Sequence, residues 1–178
     1  VYEHELYASG KHRYWKHRRD KVAKAFEGAH VMGACEMTHF MLQDVLRRNP
    51  TMRSSRLALK PGNYDGSVVV YDATRLTLLS QFTKRLLSNM VQVALVCKFR
   101  DEVMQTEFSF TVLHLKSDGM EDNGALESVR VRQARAVLEL LETSPLLPKI
   151  VVGDFNSDGY LVKKWKASHT PYVQRVFE

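Results

Sequence analysis

The chain has 178 residues, a length that fits a single domain. Hydrophobic residues make up 44% and charged residues 26% of the chain, which excludes a disordered chain. A chain of this length can also form a hydrophobic core that does not depend on disulfide bonds or a structural metal. Its 26 Lys and Arg residues exceed the 20 Asp and Glu residues, and the net charge of +6 favours an anionic partner, either nucleic acid or a phosphorylated small molecule. With only Cys35 and Cys97, a disulfide scaffold and a four-cysteine zinc site are excluded.

The sequence carries no pattern typical of membrane insertion or secretion. Its longest apolar runs are about six residues, against the roughly 18 that span a bilayer, and its charged, histidine-rich opening is unlike a signal peptide. We therefore expect no membrane partner and a reducing compartment, either the cytoplasm or the mitochondrion. Because the chain starts at Val1 and stops at Glu178 without a terminal signal, we also expect residues 1–178 to be one domain that is incomplete at both ends.

Hydrophobic periodicity predicts helices, and β-branched apolar runs predict strands between and after them. The helices are expected at residues 15–26, 40–48 and 125–142. The strands are expected at residues 29–35, 67–71, 76–82, 90–99, 108–115 and 149–153. The polar stretch 100–106 fits a hairpin connection, so much of the sheet is expected to be antiparallel. This order of elements predicts an α/β or α+β layered domain.

Polar residues stand where the predicted apolar strands end, and strand ends are where α/β proteins place their chemistry. They are Glu36, His114 and the pair Asp154 and Asn156. If the backbone of the pair stays extended, both side chains point the same way. Asp154 then suits orienting or deprotonating a water, and Asn156 suits donating to a developing oxyanion. The alternative is an Asx-turn that closes the strand.

His114 and Glu36 each admit more than one interpretation. A histidine in an apolar strand is more often a hydrogen-bonded core residue, whereas an imidazolium in a phosphoryl site neutralises transition-state charge. Glu36 brings a carboxylate to the end of an apolar run, so it requires a partner or a cation. Magnesium takes one or two carboxylates plus waters and phosphate oxygens, so a single glutamate is enough to anchor it.

Basic residues crowd the span before the Asp65-Gly66 turn, and a second basic group lies near the C-terminus. Such runs are usually solvated faces, although the first group is well placed for phosphate contact. Several aromatic residues are candidates either for base stacking or for core packing. The first group is Arg47, Arg48, Arg53, Arg56 and Lys60, the second is Lys163, Lys164 and Lys166, and the aromatic candidates are Tyr14, Trp15, Tyr64 and Tyr160.

Taken in order, these residues resemble the endonuclease/exonuclease/phosphatase superfamily over nearly the whole chain. The resemblance starts at Leu6-Tyr7-Ala8 and continues through a series of motifs. They are Ala34-Cys35-Glu36-Met37, Asp65-Gly66-Ser67-Val68, His114-Leu115-Lys116, Arg130-Val131-Arg132-Gln133 and Gly153-Asp154-Phe155-Asn156-Ser157. Within the superfamily the sequence is most similar to the deadenylase branch, which contains nocturnin and the carbon-catabolite-repression deadenylases.

The resemblance implies an α/β fold, a two-layered sandwich of mixed, largely antiparallel sheets flanked by helices, with the site at one end. It implies Mg²⁺-dependent hydrolysis of a phosphoester by an activated water. The expected function is that of a 3′ exoribonuclease or deadenylase, whose partner is poly(A)-like RNA or a nucleotide phosphate.

The resemblance also implies roles for single residues. Glu36 would hold Mg²⁺, Asp154 would orient or activate the water, and Asn156 would hold the scissile phosphate. His114 would support the phosphate or its neighbours, and Lys116 would contact a substrate phosphate. We expect the side chains of Glu36, His114, Asp154 and Asn156 to converge in one pocket.

Three further residues take supporting roles. Asn89 is a candidate for substrate contact on the strength of its place in Asn89-Met90-Val91, a match to the same branch. Arg130 and Gln133 share a helical face with Val137, which must pack on the sheet. We therefore expect both to support the site from behind without touching substrate.

Two alternatives stay open. The family's closing Ser-Asp-His motif is not found, and Cys35 replaces the usual Gln before the metal-binding glutamate. The first alternative is therefore a degenerate nuclease fold that binds RNA or serves as a structural subunit of a ribonucleoprotein. Because the motif is not found, we expect slow hydrolysis at most from these 178 residues alone. The other alternative is a nucleotide or inositol phosphatase with the same site and a different pocket.

Overall fold

The structure, a computed structural model, describes residues 14–117, 125–143 and 146–156. Its helices are α1 (Trp15–Ala25), α2 (His39–Arg48) and α3 (Ala125–Glu142). Its strands are β1 (Val31–Thr38), β2 (Met52–Ser54), β3 (Ala58–Leu59), β4 (Asp65–Asp72), β5 (Leu76–Arg85), β6 (Val93–Asp101), β7 (Thr106–His114) and β8 (Lys149–Asp154). Leu6-Tyr7-Ala8, Ser157, Tyr160 and the basic group at Lys163, Lys164 and Lys166 lie outside the described residues.

The strands form two sheets of four strands each. In the first sheet β4 lies at the centre and pairs antiparallel with β1, β2 and β3. The second sheet has the order β5-β6-β7-β8, antiparallel except for the parallel pair of β7 and β8. The connection between these two parallel strands contains α3, as parallel neighbours require. The predicted mixed, largely antiparallel sheets are confirmed.

Side chains alternate between the two faces of each strand, and this alternation divides the core into three layers. The layer between the sheets includes Val69 from β4 and Val112 from β7, both fully buried. On the other face of β4, Val68 and Val70 pack with residues of α1 and α2. On the other face of β7, Leu113 packs with residues of α3. The order of layers is therefore helices, sheet, sheet, helix, which matches the predicted sandwich.

Polar contacts fix the two helices that cover the first sheet. The Thr38 hydroxyl accepts a hydrogen bond from the Met41 N–H at 3.2 Å and caps the start of α2. The Trp15 indole N–H donates to buried Asp44 at 2.8 Å, and Arg47 donates to the same carboxylate at 2.9 Å. These bonds hold the pKa of Asp44 below its usual range. None of the described helices is long and apolar enough to cross a membrane.

The structure corrects several predicted boundaries. β1 continues to Thr38, so Glu36 lies inside the strand and not after it. β6 begins at Val93, which leaves Met90 in the turn that follows β5. The short strands β2 and β3 were not predicted, because two or three residues are too few to show an alternating pattern.

Candidate functional site

Charged residues from both sheets meet at one end of the sandwich. His114 ends β7 and is the register partner of Asp154 on β8, and their Nε2 and Oδ2 atoms lie 4.0 Å apart. From the first sheet, the carboxylates of Glu36 and Asp65 and the ammonium of Lys60 also act on the His114 imidazole. Three carboxylates and one ammonium, contributed by both sheets, therefore act electrostatically on a single histidine.

Glu36 reaches this end through a bulge in β1. The register between β1 and β4 shifts between Ala34 and Met37, and Glu36 has a φ of +55°. A bulge bends the strand and re-aims a side chain, here an exposed carboxylate. The left-handed backbone costs about 1–2 kcal/mol. Among the described non-glycine residues, positive φ values occur at Glu36, Asn156 and Gln105, so two of these strained positions are predicted site residues.

Cys35 joins the two sheets next to Glu36. Its Sγ–H donates to the Leu113 carbonyl of β7 at 3.1 Å, and the Ser67 hydroxyl of β4 lies 3.9 Å from the same sulfur. Burial raises the pKa of the Cys35 thiol, and this effect outweighs a hydrogen bond with the Asp154 backbone. The thiol therefore stays neutral and acts as a packing group that spans the sheets.

Of the two interpretations of Asp154 and Asn156, the structure shows the Asx-turn and not one extended strand. Asn156 has a φ of +48°, and its backbone N–H donates to Asp154 Oδ1 at 2.8 Å, which is the Asx-turn alternative. The turn nevertheless keeps both residues at the site, because Asn156 Nδ2 donates to the Leu115 carbonyl at 2.9 Å, just after β7. The Asp154 side chain is 55% exposed, and within the described residues its Oδ2 receives no hydrogen bond.

His114 is buried on the face of β7 that points to the other sheet. Burial is the main effect that lowers its pKa, and Lys60 acts in the same direction, whereas Glu36, Asp154 and Asp65 oppose the shift. The neutral imidazole is thus favoured at pH 7. Among the described residues its buried Nδ1 has no hydrogen-bond partner. The geometry supports His114 as a hydrogen-bonding group better than as an imidazolium.

Lys60 and Asp65 are the site residues that sequence analysis missed. Lys60 belongs to the basic group that was interpreted either as a solvated face or as a phosphate contact, and its side chain is only 15% exposed, with its Nζ 3.0 Å from Asp65 Oδ2. The Lys60 N–H also donates to the Asp65 carbonyl at 3.2 Å, which closes the β3–β4 hairpin. The sequence signal that could have identified this pair is a lysine and an aspartate on either side of the turn residues Pro61-Gly62.

Lys116 and Asn89 lie at the same end of the second sheet as His114. The Lys116 backbone N–H donates to Gln133 Oε1 at 3.0 Å, and its side chain is half-exposed. Asn89 is exposed in the turn between β5 and β6. In the described part of the chain, no hydrogen bond or ion pair joins either side chain to Glu36 or His114. Their substrate contacts stay predictions.

Gln133 and Arg130 lie behind the site, as predicted. Gln133 is fully buried, accepts from Lys116 and donates from Nε2 to Gln92 Oε1 at 3.4 Å. Arg130 is 4% exposed, and its guanidinium lies 3.5 Å from the Lys116 carbonyl. Both contacts hold the segment that leaves β7, and this segment also anchors Asn156.

Replacing Gln133 by leucine removes the acceptor of the Lys116 N–H. We expect the free energy of unfolding to fall by about 1–3 kcal/mol, because an unsatisfied backbone donor is left beside a buried helix face. The matched control is Gln81→Leu, since Gln81 Oε1 accepts from the Arg56 N–H at 2.9 Å at an exposed position. Urea unfolding should show a smaller decrease in the free energy of unfolding for the control. Equal decreases for the two variants would contradict the structural role of Gln133.

The donor set at this end fits a hydrated magnesium ion. Among the described residues, no three His, Cys, Asp or Glu side chains are grouped closely enough to enclose a metal. Magnesium does not need such a cage, since it is usually bound by one or two carboxylates and keeps several waters. Glu36 and Asp154 are exposed hard-oxygen donors that act on the same imidazole. Their chemistry suits Mg²⁺ better than zinc.

Several solved structures share this fold, although no protein-family model and no curated protein sequence matches the chain. An endonuclease/exonuclease/phosphatase protein from Bacteroides vulgatus has a TM-score of 0.71 and 20% identity, covering 83% of this chain and 60% of that chain. The mannosyl-6-phosphatase Bt3783 of Bacteroides thetaiotaomicron has a TM-score of 0.71 and 19% identity, covering 89% and 61%. The human nocturnin catalytic domain, solved with a bound sulfate anion, has a TM-score of 0.70 and 22% identity, covering 86% and 62%.

These matches confirm the predicted fold. The chain has the architecture of the endonuclease/exonuclease/phosphatase proteins, and nocturnin is among its structural neighbours. The chain spans about three fifths of the length of these solved structures.

Proposed function

We propose that this chain forms the core of a Mg²⁺-dependent phosphoester hydrolase of the endonuclease/exonuclease/phosphatase family that acts on the 3′ end of RNA. The observation that carries the proposal is the pair of His114 and Asp154, whose Nε2 and Oδ2 atoms lie 4.0 Å apart and on which charges from both sheets act. The structural neighbours include a phosphatase and a nocturnin domain that binds sulfate, and both support phosphoester chemistry.

Glu36 and Asp154 divide the acid–base and metal roles. Glu36 would hold Mg²⁺, because its carboxylate is exposed at a strained bulge. When bound, the ion supplies a Lewis acid for the phosphoryl oxygen. Asp154 Oδ2 receives no hydrogen bond from the described residues, so it is available to orient a water and to accept its proton.

Donors around these carboxylates would hold the phosphate. Asn156 uses one amide hydrogen on the Leu115 carbonyl and keeps a second one for a phosphoryl oxygen. Neutral His114 would donate a hydrogen bond, and Lys60 would partly compensate the phosphate charge while it stays paired with Asp65.

Exposed aromatic residues near the candidate site favour a nucleotide substrate over a sugar phosphate. Tyr64 is 83% exposed and Phe40 is 60% exposed, so core packing does not explain either ring. The register pairs Thr38 with Asp65, so Tyr64 directly precedes this pair and Phe40 lies two residues beyond it. Such rings are suited to stacking on an unpaired base.

The test is single-turnover hydrolysis of a 3′-oligoadenylate RNA with Mg²⁺ or with EDTA, compared with an inositol phosphate and a mononucleotide. We expect Mg²⁺-dependent shortening of the RNA, and a loss of about 10²–10³-fold in rate for Glu36→Gln. The matched control is Glu27→Gln, an exposed glutamate beyond the end of α1 that should keep full activity.

Each other outcome would change the assignment. Preference for the inositol phosphate or the mononucleotide would favour a small-molecule phosphatase. RNA binding without hydrolysis of any substrate would favour the degenerate, RNA-binding alternative. Full activity of Glu36→Gln would overturn the role of Glu36.

A further inference from the structure

We infer that the outward face of α1 is a docking surface for the phosphate backbone of single-stranded RNA. This surface, the basic face of α1, consists of Lys16, Arg18, Lys21 and Lys24, all exposed. The inference goes beyond the proposed hydrolysis, because it concerns residues that take no part in the candidate site and it holds for an inactive chain as well.

The cations of this face lack acidic partners in the described part of the chain. Asp20 is the one acidic residue of α1, and its carboxylate accepts from Arg48 of α2 at 2.8 Å. Lys16 contacts the Tyr14 ring, with 5.7 Å between Nζ and the ring centroid, which leaves its charge uncompensated.

Three cations on or beside the second sheet have acidic partners, unlike those of the basic face of α1. Arg75 forms an ion pair with Asp101 at 2.8 Å, and Lys98 and Arg100 both pair with Glu107. A solvated surface that serves only stability and solubility would be expected to intersperse both signs in this way. On the basic face of α1, Asp20 is the one acidic residue among four exposed cations, and its carboxylate pairs with Arg48.

Local helix stability does not explain these charges either. The first turn of α1 contains no acidic residue and holds Lys16 and Arg18, although the positive end of the helix dipole lies there. The N-cap residue Tyr14 makes no side-chain capping bond. Each cation in the first turn costs a few tenths of a kcal/mol, so the charge distribution opposes helix formation and suits an anionic ligand.

An RNA strand fits this face better than a membrane does. A helix that lies in a membrane interface inserts a large apolar face into the bilayer. The apolar residues Trp15, Ala23 and Phe26 are instead buried in the core. What α1 presents is charge without apolar anchors, spread along about 12 Å of helix from Lys16 to Lys24. A flexible polyanion such as a single strand satisfies that geometry through its phosphates alone.

The experiment is fluorescence anisotropy of a labelled 20-nucleotide oligouridylate RNA, in EDTA so that no Mg²⁺-dependent cleavage occurs. The variant Lys16→Gln/Arg18→Gln/Lys21→Gln should weaken binding about ten-fold at 0.1 M salt and lower the slope of log affinity against log salt by about 2. Its melting temperature should be unchanged or higher, because two cations have been removed from the positive end of the helix.

The matched control is Lys84→Gln/Arg132→Gln/Arg135→Gln, which removes the same charge from exposed positions on β5 and α3. It should retain most of the affinity, and an equal loss in both variants would overturn the inference, since net charge alone would then explain binding. The single variant Arg18→Glu should also weaken RNA binding without lowering the melting temperature. If it melts earlier, or if only binding to phosphatidylserine vesicles changes, the inference is wrong.

Discussion

Replacing Asp154 by asparagine is expected to reduce phosphoester hydrolysis by about a thousand-fold while leaving the melting temperature unchanged. The substituted side chain would still offer a carbonyl oxygen to the Asn156 N–H, so the Asx-turn at 2.8 Å survives. What is lost is the anionic Oδ2, the atom 4.0 Å from His114 that is available to a water. Losing a general base typically costs about 10²–10⁴-fold, and the measurement is the single-turnover rate on the RNA used above.

The chain offers an unusually close control for this substitution. Asp72 ends β4, accepts from the Thr74 N–H at 3.0 Å in its own Asx-turn, and lies 3.9 Å from the His30 imidazole. A second aspartate–histidine pair next to an Asx-turn thus lies at the far end of the first sheet. Asp72→Asn should leave the rate unchanged, whereas full activity of Asp154→Asn would remove Asp154 from the proposed mechanism.

The parts of the fold that were predictable depend on short-range patterns. Residues 125–142 show a clear helical period, and α3 has those bounds in the structure. Alternation along β7 placed His114 on the same face as Phe110 and Val112, and both of these pack between the sheets. Because a strand's period fixes which face each side chain takes, the side of the sheet that carries His114 followed directly from the sequence.

The parts that were missed depend on contacts between distant segments. A β-bulge has no sequence period of its own. The bulge that redirects the Glu36 side chain can therefore be recognised only from the pairing of β1 with β4. Lys60 looked like a member of a solvated group because its partner Asp65 lies across a hairpin whose first strand, β3, has two residues. In both cases the missing contact is made through β4, with which β1, β2 and β3 all pair.

The second sheet has a comparable organising element in the parallel pair of β7 and β8. Gly153 faces Leu113 in this register, one step before His114 faces Asp154. A Cβ atom at Gly153 would lie 2.0 Å from the Leu113 carbonyl oxygen and 2.8 Å from its backbone nitrogen. The Gly153 φ of +139° is also in a region that is essentially restricted to glycine. Asp154 can therefore approach His114 only because glycine, which has no side chain, occupies position 153.

Gly153→Ala is accordingly expected to lower the free energy of unfolding by about 3–5 kcal/mol, because backbone strain and a clash with another strand's backbone add together. Such a loss is a large fraction of the stability of a domain of this size. The matched control is Gly62→Ala, where φ is +78° and a Cβ would meet nothing within 4 Å, so only the left-handed strain of about 1 kcal/mol applies.

Urea unfolding of the two variants separates the two effects. Both carry an alanine at a positive φ, and they differ in whether a neighbouring strand lies against the new methyl group. Gly62→Ala should stay soluble and active, since the Lys60–Asp65 pair does not require glycine between them. Gly153→Ala should lose activity together with stability, because β8 must move away from β7 and carries Asp154 and Asn156 with it. Equal unfolding midpoints for the two variants would show that β7 and β8 are not paired in this register.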